Sequence, residues 1–275
     1  MKIIVFGGQG SLGQELVFHL EEYHEVIPLS RFNVDIIDLE NVRNIIESIK
    51  PDIIINTVAI THNIVENKIK DQIIYETNVD GALNIATTCK NNNIPLIHIS
   101  CASVIAGSTN KTPEAKRKSI DIIGESKLEA EIMIEDIFKD TKDKNYLIIR
   151  LGVLFGKYGY SIVNTLERLI KKNIKIKVIE DIIINLSATK MVAEYIEKIL
   201  EKGISSLNKK IIHCCHKKPL SYYELAEKIS IFIEKEIEII RITADQVNKE
   251  SGNYSLEMDE EIGDLDKYLK DFLKG

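Results

Sequence analysis

Cysteine, proline and basic clusters are all scarce in this 275-residue chain, and each scarcity excludes something. The four cysteines, Cys89, Cys101, Cys214 and Cys215, form no CxxC pair, so neither a disulfide framework nor a zinc ribbon is expected. His213-Cys214-Cys215-His216 lacks the ligand spacing of a zinc site, and two adjacent residues of a strand point to opposite faces. No metal is expected, and a reduced, cytoplasmic protein fits this cysteine usage. The net charge is −6, and the lysines are spread along the chain rather than gathered into a stripe; this excludes the electrostatic footprint of a nucleic-acid binder. No run approaches the ~18 consecutive apolar residues of a membrane span, and no signal segment is visible. No stretch rich in Gly, Pro or Ser marks a flexible linker, and no internal repeat occurs.

What the chain does contain is alternation. Short β-branched runs, KIIVF (2–6), EVIPL (25–29), DIIINT (52–57), IPLIHIS (94–100) and YLIIRLGVLF (146–155), alternate with stretches of helical period at 11–23, 38–50, 78–92 and 124–138. Asp38 is placed to cap the second helix, which stops before Pro51. The strands are continuously apolar, which predicts burial on both faces and therefore a parallel sheet between helical layers. The expected fold is α/β, a doubly wound parallel sheet over residues 1–160. Residues 161–275 are expected to form a smaller α/β lobe, intertwined with the sheet rather than independent. In that lobe 174–180 and 209–215 read as strands, and 187–203, 221–235 and 264–275 as helices.

GGQGSLG (7–13) lies directly between the first strand and the first helix. It satisfies both Gly8-x-Gly10-x-x-Gly13 and Gly7-x-x-Gly10-x-x-Gly13. In that context glycines permit a tight turn and close approach of backbone to a pyrophosphate, which meets the unpaired amides of the helix start, here Ser11, Leu12 and Gly13. At the end of the second strand, where NAD sites place a carboxylate for the ribose hydroxyl, stand Ser30 and Arg31. A guanidinium holds a 2′-phosphate bidentately and a carboxylate repels it, which favours NADP(H). Read as a surface residue, Arg31 leaves NAD open.

With these blocks in place, the chain resembles the extended short-chain dehydrogenase/reductase family, in its dTDP-4-dehydrorhamnose reductase branch. The resemblance runs nearly end to end, through MKIIVFGGQGSLGQEL, NVDIIDLENV, KPDIIINTVAIT, ETNVDGALNIA, IPLIHIS, GESKLEAE, IIRLGVLFG, LSYYELAEKI and ITADQV…GNYSLEM. It implies a Rossmann fold and a nucleotide-sugar substrate reduced at a keto group. It also implies cofactor-binding roles for Asp35, Ala59, Asn78 and Lys127 beside the glycine turn. In the family a Ser or Thr, a Tyr, and a Lys four residues later carry the chemistry, the tyrosine giving a proton to the forming alkoxide.

Here Lys127 matches the lysine and Ser100 the serine preceding the family's threonine; Cys101 takes the threonine's place and Ile123 the tyrosine's. No tyrosine occurs between Tyr75 and Tyr146, so no shift of register restores the motif. Two readings follow. The first is a nucleotide-sugar reductase with a non-standard acid, for which His62, in the loop after the third strand, is a candidate, with Tyr158 or Tyr160 behind it. The second is a catalytically silent NADP-binding regulatory or scaffolding subunit. The resemblance leaves open a homodimer or a partner enzyme.

Overall fold

A computed structural model describes residues 1–61, 69–108, 111–141, 145–203, 210–247, 249, 252–258 and 262–274. Its centre is a six-stranded parallel sheet in the order β2-β1-β3-β4-β5-β10. These strands are β1 (Lys2–Phe6), β2 (Glu25–Leu29), β3 (Ile53–Asn56), β4 (Leu96–Cys101), β5 (Tyr146–Leu151) and β10 (Lys210–Cys214). Burial on both faces, read from the unbroken apolar runs, is what the sheet shows. Ile3 and Val5 of β1 enter one apolar cluster with Ile53, Ile55, Ile97 and Ile149, whereas Ile4 and Phe6 enter the other with Ile54, Leu96 and Ile148. Each of these side chains contributes roughly 1.5–3 kcal/mol by leaving water, so the alternation of the pleat sustains two cores at once.

Helices α1 (Ser11–Leu20) and α7 (Thr189–Glu201) pack together on the first face. The second carries α2 (Leu39–Ile49), α4 (Gly81–Asn91) and α5 (Ile122–Ile137). Asp38 caps α2 as the sequence suggests, its Oδ1 accepting from the amides of Glu40 and Asn41. The short α3 (Asp71–Tyr75) leads through a π-helical turn (Glu76–Asp80) into α4; a wider turn of this kind inside a helix often marks a functional site.

The single strand read over 146–155 is in fact two. The chain breaks at Gly152, whose absent Cβ would stand 2.2 Å from Asn185 O, and β6 (Val153–Phe155) leaves the main sheet to pair with β9 (Leu186–Ala188). Cys214 and Cys215 are both buried at the end of β10. That strand comes from beyond residue 160 and completes the main sheet beside β5. The remaining elements form small sheets, which include β7 (Ile176–Ile179) and β8 (Ile182–Ile184), and three helices, α6 (Ile162–Lys171), α8 (Tyr222–Phe232) and α9 (Leu265–Lys274). Their apolar faces share one continuous cluster with the first face of the sheet, from Ile3 to Leu225 and Leu269. Among the described residues no helix is long and apolar enough to cross a membrane, and no group of three or more His, Cys, Asp or Glu could hold a metal ion.

Candidate active site

The chain leaves β1 toward β2 on one side and returns to β3 on the other, so a crevice opens beyond the ends of β1 and β3, where ligands bind in open α/β sheets. The glycine turn fills its floor. Gly7 has φ +80° and faces Thr57 of the β3 end, where a Cβ would lie 2.6 Å from Thr57 Oγ1. A Cβ on Gly13 would lie 2.1 Å from Gly7 O, so the first turn of α1 approaches the end of β1 as only glycine allows. Gly8 is pressed instead against Pro28, and Gly10 sits at the N-cap without a side-chain hydrogen bond. With no side chain capping α1, the amides of Ser11, Leu12 and Gly13 head a helix whose dipole favours an anion. Ser11 Oγ turns the other way and donates to Tyr158 O at 2.5 Å, which seats the loop after β6 beside the helix start.

Arg31 is exposed beyond β2, its guanidinium 5.3 Å from the ring centroid of Phe32, and Asp35 is exposed just after it. Asp35 accepts from the amide of Ile37 at 3.1 Å. Ala59 is half-buried in the loop after β3. Asn78, in the π-helical turn, is buried. Its Oδ1 accepts from Ile60 N at 2.7 Å, and its Nδ2 donates to Ile60 O and to Ser126 Oγ, both at 3.0 Å. Its amide therefore clamps the Ala59 loop to α5, a positioning rather than a contacting arrangement.

Ile123 is 3% exposed and packs with Ile60 and Ile74. Where the family resemblance puts a proton donor, the chain has a satellite apolar cluster. Lys127 follows one turn later on the same helical face and is 2% exposed. Its Nζ donates to Ile99 O at 2.6 Å and lies 3.2 Å from His98 Nε2. Burial pushes the lysine down to about 8, against the weaker opposing pull of Cys101 and Glu131. Cys101, half-buried at the end of β4, has its thiol pushed up by burial, with Lys127 pulling the other way; a thiol held neutral is a poor nucleophile.

Ser100 is reached by the same helix but belongs to a different constellation. Its Oγ donates to Glu131 Oε1 at 2.6 Å, and Glu131 also accepts from Arg150. The structure thus brings Lys127, Cys101 and the glycine turn to one end of the sheet and places Ser100 inside a buried ion-pair network. His62 lies outside the described residues. The sequence reading passed over His98, Asn56, Glu131 and Arg150. The signal was available: His98 and Ser100 are two apart on a strand and Lys127 and Glu131 four apart on a helix, so each pair shares a face.

Parallel sheet, crossover and glycine turn together define a protein of the Rossmann-type class. Within that class the chain belongs to the family described as RmlD substrate binding domain, whose pattern matches residues 1–251. A dTDP-4-dehydrorhamnose reductase of Aggregatibacter actinomycetemcomitans is 30% identical over 85% of this chain and 79% of its own. A dTDP-4-keto-6-deoxy-D-glucose reductase of Streptomyces niveus is 26% identical over 81% of this chain and 75% of its own. The crystal structure of dTDP-4-dehydrorhamnose reductase from Bacillus anthracis, in complex with NADP, superposes with a TM-score of 0.89 at 23% identity, covering 99% of this chain and 98% of that one; at this identity the likeness is one of fold.

Proposed function

We propose that the protein is an NADP(H)-dependent reductase of a nucleotide-linked keto-deoxysugar. The observation that carries the reading is the turn between β1 and α1, which only glycines at positions 7 and 13 can make, opening onto an uncapped helix start in a chain of this family. The residues present fit a phosphorylated dinucleotide: the amides of Ser11–Gly13 would hold its pyrophosphate, and Arg31, with no carboxylate at the end of β2, suits a 2′-phosphate. When bound, that cofactor would supply the hydride. The protein's own part is to orient the two ligands, exclude water and deliver a proton to the forming alkoxide. Residue 123 supplies no proton, so the acid is another group, and we assign His62 to be tested first.

A second reading is a catalytically silent cofactor-binding subunit, favoured by the burial of Ile123 among Ile60 and Ile74. One experiment separates the two. Purified protein is titrated with NADPH and, separately, with NADH, and then mixed with a dTDP-4-keto-6-deoxysugar. Cofactor binding with NADPH oxidation supports the reductase, and loss of turnover in His62→Ala then assigns the acid. Binding without turnover supports the silent subunit, and no binding of either reduced cofactor sinks both.

A further inference from the structure

The hydrogen bonds beneath Lys127 count protons. The backbone amide of Val58 can only donate, and it lies 3.0 Å from Asn56 Oδ1, which fixes the orientation of that side-chain amide. Asn56 Nδ2, a donor, therefore faces His98 Nδ1 at 3.2 Å, so Nδ1 accepts. A neutral imidazole accepting at Nδ1 carries its proton at Nε2, and Nε2 points at Lys127 Nζ, 3.2 Å away. An amine has a lone pair to receive that proton; an ammonium has none. We propose that Asn56 and His98 are positioning residues that favour the neutral amine form of Lys127 in the free protein.

Charging the lysine forces a conflict. If Nε2 is to accept from an ammonium, the imidazole proton moves to Nδ1 and meets the Asn56 NH₂. Turning that amide over only transfers the donor–donor contact to Val58 N–H. Every arrangement of a charged Lys127 leaves one buried donor facing another, whereas the neutral one satisfies Val58, Asn56, His98 and the bond to Ile99 O together. The groups packed around Lys127 do not reverse this. From β4 come His98 and the protonated Cys101, and from its own helix Glu131, whose carboxylate is held by Arg150 and Ser100. Burial favours the neutral forms of both His98 and Lys127.

The inference concerns the same site as the proposed reductase and gives it content: in its neutral form Lys127 offers N–H donors to a ligand and has no ammonium proton to give in place of the missing tyrosine. It uses no ligand, so its failure is distinguishable from that of the functional reading. The test is NMR on the free protein labelled with ¹⁵N-histidine and ¹³C,¹⁵N-lysine. The expected result is a Lys127 side chain that titrates with its midpoint near 8, against ~10.4 for an ordinary lysine, and, at a pH above that midpoint, a His98 proton on Nε2 with bare Nδ1. Asn56→Asp provides the converse. A carboxylate accepts from both Val58 N–H and Nδ1–H, so the imidazole proton moves to Nδ1, Nε2 becomes the acceptor, and the Lys127 midpoint rises by at least about one unit. A wild-type proton on Nδ1 above that midpoint, a Lys127 that titrates with the exposed lysines, or a folded Asn56→Asp protein with an unmoved midpoint would overturn the proposal. If that variant does not fold, the wild-type spectrum decides alone.

Discussion

Glu131 receives two arms of the Arg150 guanidinium, Nε at 2.9 Å and Nη2 at 2.8 Å, and neither side chain has any exposed surface. Arg150 also donates to Pro113 O at 3.2 Å and faces His213 Nε2 at 3.4 Å, while His213 Nδ1 pairs with Glu257 O at 2.8 Å. The network thus ties β4, β5 and α5 to β10 and the C-terminal segment. Truncating one partner strands a buried charge. Glu131→Ala is expected to destabilise the protein by about 3–5 kcal/mol in urea denaturation, and the double change Glu131→Leu, Arg150→Met by clearly less than the sum of the single changes. Additive losses would show that the two side chains do not act as a pair.

Gly13 tests the turn. A methyl group there would collide with Gly7 O, so Gly13→Ala must push the first turn of α1 away from β1. Losing even one charge-assisted amide–phosphate bond amounts to ~1.5–3 kcal/mol, so NADPH affinity is expected to fall about 10- to 100-fold in calorimetry, with the far-ultraviolet circular dichroism of the fold retained. Unchanged affinity would remove the turn from the proposed site.

Arg31 tests cofactor choice. It is exposed at the end of β2, so its contribution is screened and modest. Arg31→Ala is expected to weaken NADPH binding by roughly tenfold while changing NADH binding by less than about twofold, because only the former carries a 2′-phosphate. Equal effects on the two cofactors would assign Arg31 to the surface.

Lys127 tests the electrostatics through stability. Its folded value of about 8 lies below the ~10.4 of an unfolded lysine, so between those limits the unfolded chain binds more protons than the folded one. Stability contributed by this group therefore rises with pH across that window, by an order of a few kcal/mol, and is at its lowest below pH 8. The wild-type protein should show this slope in urea midpoints measured from pH 8 to 10, and Lys127→Met should lack it. Parallel pH profiles for the two proteins would mean that the lysine is ordinarily solvated.

Much of the scaffold was legible because it is local. The strand–turn–helix at 2–20 is written in a run of β-branched residues, a glycine set and a helical period, all within reach of one another along the chain. Asp38 caps its helix for the same reason. The division of 146–155 was not legible, because Gly152 yields to the carbonyl of Asn185, more than thirty residues away. Nor was the membership of β10 in the main sheet, which depends on pairing with β5 across the lobe between them. At the site, the isoleucine at position 123, where the resemblance expects a tyrosine, could be read directly. That Ile123 fills an apolar cluster rather than a pocket required the partners Ile60 and Ile74.

By itself, then, the sequence determined a parallel sheet buried on both faces and a glycine turn at its switch point, since periodicity and residue chemistry are properties of neighbours along the chain. Only the tertiary structure decided that Lys127 is turned inward onto His98 and Ile99, and that Ser100 serves the Glu131–Arg150 pair. Burial and hydrogen-bond partners are set by which face of α5 meets which face of β4, and that meeting is made by packing.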